Sequence, residues 1–412
     1  MVSVDEALRI VIEAAHALPP SVIPITDSVG FVLSEDIISE ENVPSFDNSA
    51  MDGYAVRSVD VQSASRENPI ALAVIDLIQA GDVSQHHLEK GQAIQIMTGA
   101  PMPLGADAVV MIEATEKTND RSVLIFSPVG KDENRRHAGD DIRAGHIVFQ
   151  KDRLIKPYDI GVLASIGKIA ASVYPKPKIA IISTGNELVG INEPLPLGKI
   201  RSSNNFTLQA LIRAMGAEVI DLGIAKDSLS ETEQKLQKAF SADIVLTSGG
   251  VSMGEFDFVR LALEKLGVAI KFWKVKQRPG KPLVFGTYQE KLFFGLPGNP
   301  VSSAVCFELF VVPAIKKMSG ISNLQPLRIK AKSTETILKK PGLRYFLRGM
   351  VGKHNTEFVV SLTGNQSSGV LSSLSYANCL IDIPEEQGDT KIGDQVTTVI
   401  LNPDTFNDLF CS

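Results

Sequence analysis

Four loops of the sequence combine glycine, hydroxyl and charged residues in a pattern suited to anion chemistry. They are Ser183-Thr184-Gly185-Asn186-Glu187, Thr247 to Asp257, Arg278-Pro279-Gly280-Lys281-Pro282 and Leu296-Pro297-Gly298-Asn299-Pro300. The second loop carries Ser248, Gly249, Gly250 and Ser252 and runs into a helix-like stretch. Such a loop can aim backbone N–H groups at a phosphate, helped by the helix dipole. It is not a Walker A loop, because no Gly-Lys-Ser/Thr ends it. Taken alone it also admits a blander reading, a flexible turn capped by Asp257. Glu187 and Asp257, expected on adjacent strand ends, offer hard oxygen donors for Mg²⁺. Either acid alone also suits a helix cap or a solvated surface. Lys281 sits on a turn stiffened by two prolines, which suits fixing one cation at an anion, with Arg278 three residues earlier.

A second group of motifs lies in the first third of the chain. Val43–Arg57 contains Asp47 and Asp52, Met97–Pro103 contains Thr98, and Arg135–Asp141 contains His137 and Asp141. On composition alone these acids serve as loop caps and Asx-turns as well as they serve chemistry. With only six histidines in the chain, no imidazole-rich metal site is expected.

The elements that must position these loops follow from periodicity. Ser3 to Glu6 is a capping-box pattern before apolar residues at Leu8, Val11, Ile12 and Ala15, predicting a helix of about four turns stopped by Pro19-Pro20. Residues 47–142 turn to short β-like runs broken by Gly and Pro. From Lys178 onward apolar strands alternate with amphipathic helices, among them a helix over Glu231–Phe240 capped by Ser230. That alternation predicts a doubly wound, mostly parallel sheet, whose ligands bind outside the carboxyl ends of the strands. After Gly320 the texture predicts a small antiparallel β-barrel. The expected division is 1–46 with 143–174 as a discontinuous N-terminal and linker domain, 47–142 as a β-rich domain, 175–322 as the α/β domain and 323–412 as the barrel. The fold class is thus α/β multidomain.

Composition narrows the functional classes. At 412 residues, 44% hydrophobic and 21% charged, the chain has the balance of a multidomain globular protein. A formal net charge of −6 argues against nucleic acid as partner. No apolar run reaches the ~18 residues that crossing a bilayer needs, and Met1–Ile10 lacks a secretory pattern. Three scattered cysteines, Cys306, Cys379 and Cys411, fit a reducing, cytoplasmic setting and offer no thiolate metal site.

These loops closely resemble those of the molybdopterin molybdenumtransferase family, which includes the C-terminal domain of gephyrin. Pro44–Arg57, Met97–Pro103, Ala106–Glu113, Arg135–Ile142, Ser183–Leu188, Thr247–Asp257, Pro279–Pro282, Gly295–Ser302 and Thr363–Ser368 carry the resemblance in the family's order. It implies an elongated homodimer that uses Mg²⁺ to convert adenylylated molybdopterin and molybdate into molybdenum-molybdopterin and AMP. The upstream adenylyltransferase and recipient molybdoenzymes would be further partners. Carried over by position, the functional acids and hydroxyl fall on Asp52, Thr98, Asp141, Glu187 and Asp257, and the basic turn on Lys281. Ser248, Gly249, Gly250, Ser252, Arg278, Pro282, Ser302, Arg348 and Ser368 would bind substrate, the cations and hydroxyls among them suiting a tetrahedral dianion. The chain departs from many members in having Arg278 where they have Lys. Adenylation of molybdopterin and a non-enzymatic scaffold are the rival readings.

Overall fold

A computed structural model of the chain describes residues 1–119, 121–250 and 258–401. Contacts divide them into two compact units. One comprises Met1–Val22, Gly30–Ser34 and Ser172 onward; the other comprises Ile23–Val29 and Glu35–Ala171.

The larger unit is built on a six-stranded sheet in the order Glu218–Ala225, Lys178–Thr184, Ile244–Ser248, Lys291–Leu296, Pro282–Tyr288, Ala269–Lys274. The first four strands are parallel, and two antiparallel pairings follow. Two reversals cancel, so Ala269–Lys274 again runs with the first four, and the loop after it emerges on the same edge. Lys178–Thr184 is buried on both faces. Its Ile179 and Ile181 join one apolar layer while Ala180 and Ile182 join the other, as a period of two requires. Each of the three isoleucines contributes about 1.5–3 kcal/mol on burial. The chain passes from Lys178–Thr184 to a neighbour on one side and then to Ile244–Ser248 on the other. The carboxyl ends of these two strands therefore form a topological switch point, where open sheets place their ligands.

Helices Ser203–Ala214, Leu229–Ala239 and Phe258–Leu266 cover the sheet. Ser228, not Ser230, caps the second of these, its hydroxyl accepting from the Glu231 N–H. The N-terminal helix is Val4–Ala14, three turns rather than four, and it ends before the prolines. Ser3 caps it, but the Glu6 carboxylate turns to Arg9, so the capping box is half formed. The last helical run starts with Pro300 and passes through a π-helical turn at Phe307–Val311.

Five strands, Arg328–Ser333, Arg344–His354, Glu357–Leu362, Cys379–Ile383 and Gln395–Ile400, close into a barrel, because Arg344–His354 pairs with both Glu357–Leu362 and Cys379–Ile383. The barrel is not purely antiparallel: Arg328–Ser333 and Glu357–Leu362 pair in parallel. Gln277–Arg278 pairs in parallel with Arg344–Tyr345, tying the basic turn to the barrel wall.

In the smaller unit a six-stranded sheet runs Ala108–Met111, Gly53–Val56, Gln92–Ile96, Ile70–Ile78, Ser122–Ile125, Thr115–Asn119. Gly53 lies within it because of close approach rather than turn geometry: a Cβ there would stand 1.9 Å from the Val110 carbonyl oxygen. Among the described residues no helix is long and apolar enough to cross a membrane.

Candidate functional site

Two adjoining clefts of the larger unit gather most of the residues singled out in the sequence. The first, about 830 Å³, lies at the switch point and is lined by Glu187, Ser248, Gly249, Gly250, Gly298 and Asn299, among others. Asn204, in the first turn of helix Ser203–Ala214, joins its walls: its amide donates to the Ser248 hydroxyl and to the Gly298 carbonyl, both at 2.8 Å. Gly249 and Gly250 hold positive φ, and Cβ atoms there would stand 2.6 Å from the Thr184 carbonyl oxygen and 2.8 Å from its hydroxyl, respectively. Glycine is thus demanded twice over, by conformation and by contact. The Gly249 N–H is bonded to the Leu296 carbonyl, which fastens this loop to the neighbouring strand.

Glu187 lines this cleft beside Asp227, whose backbone and carboxylate exchange hydrogen bonds with Asn186. Among the described residues no group of three or more His, Cys, Asp or Glu is arranged to hold a metal. Ser252 and Asp257 lie outside the described residues.

The second cleft, about 1340 Å³, shares Pro282 and Asn299 with the first. The basic turn forms one wall and the barrel the other. Arg278, Lys281, Pro282, Ser302, Arg348 and Ser368 all line it. Lys281 is exposed; its carbonyl accepts from the Val275 N–H, while its ammonium has no partner among the described residues. Arg278 stacks over the Tyr345 ring at 5.4 Å, with a long contact from Nη1 to the phenol oxygen. A planar guanidinium can use that face in a way an ammonium cannot, which gives a physical reason for Arg at this position.

Arg348 is wholly buried. Its Nε donates to the Ser373 hydroxyl and its Nη2 to the carbonyls of Asn365 and Ser367, while Nη1 has no partner. Burial pulls its pKa down to about 10, so it remains a cation at neutral pH. The Ser368 carbonyl accepts from the Val301 N–H, fastening the barrel loop to the start of the helix that carries Ser302.

Asp52, Thr98 and Asp141 belong to the smaller unit. Asp52 Oδ1 accepts from both the N–H and the hydroxyl of Thr98, at 2.6 and 2.7 Å. These bonds, the backbone one first, hold its carboxyl below the usual aspartate range. The segment from Val43 to Gly53 has Thr98 and its neighbours on one flank, through Gly99 N–H to Ser49 O. Asp141 is on another, through its N–H to Val43 O. Asp47 is structural: it accepts from the Ala138 N–H and pairs with Arg135, which depresses its pKa. His137 is exposed.

Sequence reasoning missed Asn204, Gln277, Lys339 and Tyr345. Asn204 had a legible signal, lying in a Ser-Ser-Asn run that opens a helix at the sheet's carboxyl edge. Lys339 did not, because Lys-Lys-Pro-Gly reads as an ordinary solvated turn. In the structure its ammonium is buried against the carbonyls of Glu385 and Gln387.

Family models match residues 2–167 as "MoeA N-terminal region (domain I and II)", 180–317 as "Probable molybdopterin binding domain" and 330–401 as "MoeA C-terminal region (domain IV)". A protein named molybdopterin molybdenumtransferase from Staphylococcus aureus (strain COL) is 36% identical over 404 residues, covering 98% of this chain and 96% of its own. One of the same name from Haemophilus influenzae is 39% identical over 377 residues, covering 90% and 92%. A solved molybdopterin biosynthesis MoeA protein from Pyrococcus horikosii superposes with a TM-score of 0.85 at 30% identity, covering 98% of this chain and 99% of that one. Agreement in sequence, over nearly the whole length and in fold, has one meaning: the chain belongs to the molybdopterin molybdenumtransferase family.

Proposed function

We propose that this protein inserts molybdate into adenylylated molybdopterin with release of AMP, in molybdenum cofactor biosynthesis. The second cleft is the observation that supports it most. Arg278, Lys281 and the buried Arg348 converge there with the hydroxyl-bearing Ser302 and Ser368. Cations and hydroxyls at one place suit a tetrahedral dianion, which accepts charge-assisted hydrogen bonds from several sides. The first cleft adjoins it at the switch point and suits the adenylylated pterin. The dithiolene sulfurs come with the pterin, so no cysteine ligand is needed; Cys306 and Cys379 are buried and unpaired.

Mg²⁺ fits the first cleft in chemical terms. Glu187 offers a hard carboxylate beside hydroxyls, and a phosphate-bound Mg²⁺ commonly takes only one or two protein carboxylates. There Glu187 would hold the ion, which would spread the charge developing on the phosphate oxygens. Replacing Glu187 by Gln should raise the Mg²⁺ concentration for half-maximal AMP release about tenfold, since a neutral amide is a poorer ligand. An unchanged Mg²⁺ titration would assign the metal to other residues.

The adenylyltransferase reading is not favoured, because a sheet domain alone lacks Arg348 and Ser368, which the barrel brings to the second cleft. Incubation with adenylylated molybdopterin, Mg²⁺ and molybdate should release AMP in a molybdate-dependent manner. Pyrophosphate release from ATP and molybdopterin would overturn the assignment. Lys281→Ala should raise the molybdate concentration for half-maximal insertion on the order of tenfold, the loss of one charged contact, with pterin affinity affected less. Equal weakening of both ligands would move Lys281 to the pterin phosphates. The proposal extends to a cytoplasmic homodimer that takes its substrate from the adenylyltransferase and hands its product to molybdoenzymes.

A further inference from the structure

Behind the basic turn lies a polar contact between Gln277, which borders the second cleft, and Cys306, which lines neither cleft. Gln277 and Cys306 are both fully buried. The Gln277 side-chain amide donates to the Gly280 carbonyl at 3.2 Å and approaches the Cys306 sulfur at 3.3 Å. The Cys306 thiol points at the same carbonyl, at 3.6 Å. Gly280 has φ +91°, and a Cβ on it would lie 2.5 Å from the Cys306 sulfur and 2.6 Å from the Gln277 nitrogen. The turn is therefore pressed flat onto these two side chains. A flipped amide would set oxygen against the Gly280 carbonyl oxygen, so the nitrogen must face it. That leaves Gln277 Oε1 buried with no partner among the described residues.

An unsatisfied buried acceptor costs stability that an apolar side chain of similar size would not. Gln at this position is hard to explain by folding, whereas its hold on Gly280 is direct. Cys306 is also four residues after Ser302 in helix Pro300–Cys306, one helical turn along the same face. The contact thus joins two walls of the second cleft, the turn bearing Lys281 and the helix bearing Ser302. We propose that Gln277 and Cys306 are positioning residues that set the Lys281 turn against the Ser302 helix and so fix the geometry of the oxyanion site. This rests on the molybdate reading of that cleft.

The test is a split between ligands. Gln277→Met and Cys306→Ala should each raise the molybdate concentration for half-maximal AMP release about fivefold, the worth of one neutral hydrogen bond. The half-saturating concentration of adenylylated molybdopterin should stay within twofold, and Gln277→Met should melt no lower than the wild type. Cys306→Ser, which keeps a donor toward Gly280, should recover most of the loss. Unchanged molybdate dependence in both variants, with a wild type that shows it, would overturn the inference alone. Parallel loss of melting temperature and of both affinities would reduce the pair to core packing. A wild type whose AMP release ignores molybdate would instead sink the reading of the cleft.

Discussion

Asp52→Asn should reduce AMP release on the order of a hundredfold or more while leaving the melting temperature within a degree or two. An asparagine oxygen can still accept from the Thr98 N–H and hydroxyl, so the substitution keeps the turn and removes only the charge. This separates the two roles that the sequence leaves open. If Asp52 is a loop cap, the amide suffices and activity survives. If the carboxylate acts electrostatically on substrate or metal, losing it costs what the loss of a preorganised charged or polar group costs in other active sites, ~10²–10³. Thr98 uses only Oδ1, and Oδ2 has no partner among the described residues. The pKa, lowered by the Thr98 bonds, adds a second arm. A depressed carboxyl is ionised throughout the neutral range and loses its charge only below the usual aspartate range. Asp52 should therefore contribute no fall in activity between pH 7 and 5. A pH profile that follows a carboxyl titrating in that window, absent in Asp52→Asn, would contradict the assignment.

The sheet was legible because its strands are buried on both faces and its helices announce themselves by period. Strands and helices alternate from Lys178 onward as the apolar pattern indicates. Caps were less legible, because Ser228 and Ser230 both precede an acid by three residues and only backbone geometry selects the first. The parallel pair in the barrel was invisible, since alternation fixes which face a residue takes but not the direction of its neighbour. Site residues divide in the same way. Gly249, Gly250 and Lys281 stand out by type. Asn204 and Gln277 are ordinary polar residues whose meaning lies in what the fold brings against them, a serine hydroxyl 44 positions away in one case and a cysteine 29 positions away in the other. Gly53 shows a third kind of failure. Glycine is required there by a neighbouring strand, and no local pattern records that.

Arg348 is where stability and binding are set against each other. Its guanidinium is buried and three hydrogen bonds satisfy Nε and Nη2, yet Nη1 has no partner and no ion pair is formed with Arg348 among the described residues. An uncompensated buried cation is costly. The sign of the shift agrees: burial lowers the folded pKa to about 10, below that of the unfolded chain. Below pH 10 the full cost is present, and it is relieved only as pH rises through 10 toward the unfolded value. A dianion in the adjoining cleft would relieve it at neutral pH instead. Molybdate should therefore raise the wild-type melting temperature, as any ligand selective for the folded state does. In Arg348→Gln that rise should largely vanish, and half-maximal insertion should need on the order of 10- to 100-fold more molybdate, the range of a charged hydrogen bond. The variant's own melting temperature reflects opposed effects, since removing the charge relieves desolvation while the carbonyls of Asn365 and Ser367 lose donors. The ligand-induced shift is for that reason the cleaner measurement. If Arg348 only staples the barrel loop, Arg348→Gln will melt lower but respond to molybdate as the wild type does, and the dianion must then be held by Lys281 and Arg278 alone.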